Sequence, residues 1–116
     1  MQEFLLVFRR DFKSKEAQPT PENLKIHLEH WKAWFADLSK QGIISRKLPH
    51  WDGVGRVLSK DKKSTNGPFV EIKESIGGVT IINAADYEEA EKIASGCPIF
   101  ELGGSVEIRM GTYHSE

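Results

Sequence analysis

Two sets of residues have the types and spacing to do chemistry. In the first, Glu71 and Lys73 lie two apart in one stretch and Glu107 and Arg109 two apart in another. Spacing by two puts side chains on one face of a strand, so these four can share a sheet face, joined by Arg9 from the first stretch. Such a cluster can line a pocket for a polar or anionic ligand. Arg109 would hold a carboxylate by two parallel hydrogen bonds, Lys73 would add charge, and Glu71 would serve as general base. The same residues can instead pair across strands as an interface ladder that needs no ligand. The sequence leaves both readings open.

The second set is His27, His30, Trp34 and Asp37 on one flank of a helix, followed by His50, Trp51 and Asp52 in the next loop. An imidazole can take a proton from a substrate and return it, and His30 or His50 is the candidate for that work, with His30 or Asp52 at the mouth of the pocket. Trp34 and Trp51 can form the aromatic wall of a pocket for a planar ligand. A solvated helix flank explains the same residues without a ligand. Two histidines three apart can share a metal, but no third ligand has the spacing to complete a site, so no metal or cofactor is expected. Gly77-Gly78 and Gly103-Gly104 lack phosphate-loop spacing and are expected to permit turns or bulges. The single Cys97, between Gly96 and Pro98, reads as a small buried residue.

The elements that must position these groups follow from periodicity. Phe4 to Arg9 is a strand with Phe4, Leu6 and Phe8 on one face and Leu5, Val7 and Arg9 on the other, apolar enough on both to be central. Thr20 and Pro21 open a helix that runs to about Gln41 and stops at Gly42. Leu24, Leu28, Trp31, Phe35 and Leu38 form its expected apolar stripe. Val54 to Leu58 reads as the second strand and Lys60 to Asn66 as a charged turn. Phe69–Lys73 and Gly78–Asn83 read as strand pieces separated by a glycine bend. Asp86 caps a second helix, with Glu89 bonding back and Tyr87, Ala90, Ile93, Ala94 and Cys97 on its buried side. Ser105 to Met110 is the last strand, Val106, Ile108 and Met110 facing the core.

The order is βαββαβ, an α+β ferredoxin-like arrangement: an antiparallel sheet with two helices on one face, in a single domain over residues 1–116. No segment remains to cover the other face, so a second copy of the chain is the expected cover and the partner is the chain itself.

The run Asn66-Gly67-Pro68-Phe69, continuing through Glu71, Lys73 and Glu74 to Gly77-Gly78, resembles the Asp-Gly-Pro-Phe signature, with Asn66 in the first place. Ala84, Asp86, Glu89 and Ala90, then Cys97-Pro98, then Gly103 to Arg109 continue the match in order. The chain is identified on these residues as a member of the YCII-related superfamily, DGPF branch. That resemblance implies a dimeric α+β barrel. It also implies that some relatives act on small ring-derived compounds as lyases, and that some are associated with sigma factors. The YCII branch carries a histidine in its first helix and an aspartate in the following loop as an acid–base pair. Counted back from Gly42, that histidine position falls on Trp31, while Asp52 could stand for the aspartate, so the pair does not carry over directly.

Sixteen basic and seventeen acidic residues leave a net charge of −1, without the basic excess of a nucleic-acid footprint. No apolar run is long enough to span a membrane, and the amino terminus lacks the basic and small-residue features of a signal peptide, so a cytoplasmic protein is expected. Two functions fit. One is a small-molecule binder with its pocket between the first helix and the open sheet face, doing acid–base chemistry of the lyase or isomerase type. The other is a non-catalytic homodimeric regulatory module. Whether it is an enzyme is left open.

Overall fold

The computed structural model describes residues 1–11, 18–46, 48–49, 55–66 and 74–112. In chain order its elements are β1 (Gln2–Asp11), α1 (Pro21–Lys40), β2 (Ile44–Arg46), β3 (Arg56–Leu58), β4 (Ser64–Asn66), β5 (Glu74–Ala84), α2 (Tyr87–Ala94), a 3-10 turn (Pro98–Leu102) and β6 (Ser105–Met110). Four strands form one sheet in the order β2-β5-β1-β6, every neighbouring pair antiparallel. Its two inner strands are β1 and β5, and the helices follow the first and third strands of that sheet. This is the expected ferredoxin-like α+β arrangement.

Parity along β1 sets the two layers. Phe4, Leu6 and Phe8 point one way and are buried. Phe8 meets Trp31 of α1 edge-on at 4.9 Å, and Phe4 meets Tyr87 of α2 edge-on at 5.1 Å, so both helices lie on that face. Ile82 and Ala84 of β5, Ala90 and Ala94 of α2, Cys97 and Ile99 complete the buried cluster. Burying an aliphatic or phenyl side chain of this size contributes about 1.5–3 kcal/mol. On the other face, β1 and β5 pair Leu5 with Ile81 and Val7 with Val79.

The caps are the ones the residue types call for. Thr20 Oγ1 accepts from the Asn23 amide at 3.2 Å, with Pro21 following it. Asp86 accepts from the Glu89 amide at 2.9 Å while Glu89 Oε1 accepts from the Ala85 amide at 3.1 Å. Each satisfies amides that a helix start leaves without partners.

Four readings differ from expectation. The second strand of the main sheet is Ile44–Arg46, directly after α1; Arg56–Leu58 pairs instead with Ser64–Asn66 in a separate two-stranded hairpin. Ser64–Asn66 is therefore strand and not turn, and the chain reverses over Ser59–Lys63, where Lys62 takes a positive φ of 66°. Gly77-Gly78 does not separate two strands. β5 runs through it with a bulge, because Phe8 faces Gly78 while the next residue, Arg9, faces Ile76. The flexible pair lets one strand absorb an extra residue. The start of α1 is also turned: Leu24 and Leu28 are 36% and 51% exposed, while His27 is 5% exposed. The buried edge runs His27, Trp31, Trp34, Phe35 and Leu38, because the three large rings pack best on Phe8 and carry the helix face with them.

Candidate functional site

α1 and the 3-10 turn meet over a carboxylate. The turn begins at Cys97, whose Sγ accepts from the Ile99 amide at 3.5 Å, and Pro98 supplies a fixed φ for its first position. Ile99 is buried and anchors the turn. Gly103 closes it at φ 73°, a conformation that suits glycine. Gly104 then passes so close to β1 that an added Cβ would lie 2.5 Å from both the Arg9 carbonyl oxygen and Ile99 Cγ1. The turn is thereby clamped between β1 and α1, and Glu101 projects toward the helix.

Two histidines converge on Glu101. His27 Nδ1 lies 2.9 Å from Oε1, and His30 Nδ1 lies 3.0 Å from Oε1 and 2.8 Å from Oε2. The hydrogen bond from His27 is the largest effect and holds the Glu101 carboxyl below its ordinary value; burial opposes it, and the hydrogen bond from His30 adds to the lowering. An ionised carboxylate only accepts hydrogen bonds, so both Nδ1 atoms carry hydrogens. Trp31 Nε1 donates to His27 Nε2 at 2.8 Å, which occupies that ring's second nitrogen. The Nε2 of His30 makes no hydrogen bond among the described residues, and the side chain is 52% exposed.

Beside this cluster lies an open groove of about 490 Å³, lined by Gln18, Pro19, Asn23, Ile26, His27, Glu101 and Leu102. Every lining residue comes from the approach to α1, from α1 itself or from the 3-10 turn, none from the sheet. A ligand here would meet a carboxylate, an imidazole, two amide side chains and an apolar margin. No group of three or more histidine, cysteine or acidic side chains positioned to hold a metal ion occurs among the described residues. Cys97 offers no nucleophile, because burial pushes its thiol up to about 12.

The predicted site residues divide. His30 is in the cluster, partnered by Glu101, and stands beside the groove without being one of its lining residues. Trp34 belongs to the core ring cluster, 6.0 Å from Phe8 and 5.8 Å from Trp31, and does not line the groove. Arg109 is on the far face of the sheet as parity requires, paired with Glu107, which Arg9 also reaches at 3.3 Å. Arg9–Glu107 is a pair across β1 and β6, and Arg109–Glu107 is a pair along β6. Asp52, Trp51, Glu71 and Lys73, with His50, lie outside the described residues, as does the Asn66-Gly67-Pro68-Phe69 turn from Gly67 onward. Sequence reasoning missed Glu101. Its partner on the helix is 74 residues away, and no periodicity links the two; the only local signal was a Cys-Pro turn start followed by Gly-Gly.

A family model for the YCII-related domain matches residues 12–110. The chain belongs to the YCII-related family. No curated protein matches it. In this YCII-related chain the helix position at which the resemblance expects a histidine is Trp31, and its indole N–H is bonded to His27, one turn earlier. No described helix is long and apolar enough to cross a membrane.

Proposed function

We propose that this YCII-related protein, of the DGPF branch, binds a small polar or ring-derived molecule in the groove at the start of α1 and moves a proton on it with His30 and Glu101. The observation that supports this is the His30–Glu101 contact at 2.8 Å with the far ring nitrogen open to solvent. A carboxylate on Nδ1–H orients the imidazole and stabilises the imidazolium once Nε2 has taken a proton. Glu101, facing the groove, accepts a hydrogen bond from a hydroxyl or amine of the ligand. Removal and return of a proton at neighbouring atoms is the step that lyases and isomerases share.

The test is a thermal-shift panel of catechol, salicylate and an unsaturated lactone, run on the wild type and on His30→Gln. A compound that raises the wild-type Tm, and whose conversion His30→Gln abolishes, supports the reading. No shift from any of the three, or conversion that survives His30→Gln, counts against it.

A second reading is favoured by the far face of the sheet. Leu5 and Ile81, half-buried, pair at its centre, with Glu107 and Arg109 on the edge strand β6 and Arg9 near the end of β1. An apolar centre with a charged margin suits a twofold contact between two copies. In that reading the protein is a homodimeric binding or regulatory module and the ladder is part of its interface.

A further inference from the structure

We propose that Trp31 is a positioning residue: its indole N–H fixes His27 as the Nδ1–H tautomer, a standing donor to Glu101, so that the open ring nitrogen of His30 is the proton-exchanging atom of the site. This rests on the reading of His30 and Glu101 as an acid–base pair, and it assigns different work to two histidines that hold the same carboxylate.

An indole nitrogen donates and never accepts. With Trp31 Nε1 at 2.8 Å, His27 Nε2 must be bare and accepting, which leaves the ring hydrogen on Nδ1, 2.9 Å from Glu101 Oε1. The spacing makes the contact local, since residues four apart on a helix are neighbours. The indole has little room to leave. It stacks on Phe35 at 5.6 Å and 24°, and meets Phe8 edge-on at 4.9 Å and Trp34 at 5.8 Å. A proton added to His27 Nε2 would set N–H against N–H in a buried place. His30 has no such restraint: its Nδ1–H stays on Glu101 whether Nε2 is bare or protonated. Glu101 is the charged group that the turn presents to both rings, and the nearby Cys97 thiol stays neutral.

The experiment is long-range proton–nitrogen correlation of the histidine rings in the full ¹⁵N-labelled chain, wild type and Glu101→Ala, at a pH of about 8, above the ordinary histidine range. No ligand is needed, so a failure of the groove to bind anything is read separately. The expected wild-type result is a single Nδ1–H tautomer for His27. Glu101→Ala removes the acceptor common to both rings: His27, still held by the Trp31 indole, keeps the single Nδ1–H form, and His30, which has no such donor on Nε2, gives a mixture with the Nε2–H form. An Nε2–H or mixed His27 in the wild type would overturn the proposal, and this reading stands even if the variant does not fold. So would a variant in which His27 becomes mixed along with His30.

Discussion

His27 of α1 and Glu101 of the 3-10 turn are 74 residues apart in the chain and 2.9 Å apart in the fold. The contact ties the first βα unit to the segment that leads into the last strand, and it puts a charged carboxylate at the edge of a groove.

Glu101 should make stability depend on acid pH. Its carboxyl is held below the ordinary 4.5, first by the His27 hydrogen bond, so the stabilisation is present above that value and is lost as pH falls through the lower folded value. Urea midpoints measured down through the carboxylate range should fall more steeply for the wild type than for Glu101→Gln. Parallel acid limbs would show that the contact does not persist in solution.

Gly104→Ala should loosen the turn that presents Glu101. The added methyl would meet the Arg9 carbonyl and Ile99 at 2.5 Å, and a backbone oxygen cannot move aside as a flexible side chain can. A cost of about 1–3 kcal/mol is expected from overpacking. Denaturant unfolding checks it, and an unchanged midpoint would mean that the turn stands off from β1.

Phe4→Ala removes a fully buried ring that packs on Tyr87 and should cost ~3–5 kcal/mol, read as a lowered denaturant midpoint. A loss well under 1 kcal/mol would contradict its place in the core.

The homodimer is tested by light scattering at micromolar protein. A dimer is expected, and Leu5→Lys, which sets a cation opposite Arg109 at the centre of the far face, should give a monomer. A wild-type monomer would remove the dimer.

Strand parity and helix caps were legible in the sequence because each is a local rule. Phe4, Leu6 and Phe8 alternate, Thr20 and Asp86 sit where caps must, and Val106, Ile108 and Met110 turn inward as read. Two things were not legible. Leu24 and Leu28 had the hydrophobicity to define the buried stripe of α1, but three aromatic rings one step round the helix outweighed them and carried His27 inward. The sequence named His30 as an acid–base candidate without a partner, and the described structure supplies Glu101 from beyond α2. A contact that closes a long loop leaves no period or spacing to read.

The claim that most needs testing is that the ligand site is at Glu101 and not at the charged face of the sheet. Isothermal titration of the strongest hit from the three-compound panel into the wild type, Glu101→Gln and Arg109→Ala tests it directly. The account predicts that Glu101→Gln weakens binding roughly 10- to 150-fold, the loss of one charged hydrogen bond, while Arg109→Ala leaves it unchanged. Binding that survives Glu101→Gln and is lost in Arg109→Ala would contradict it.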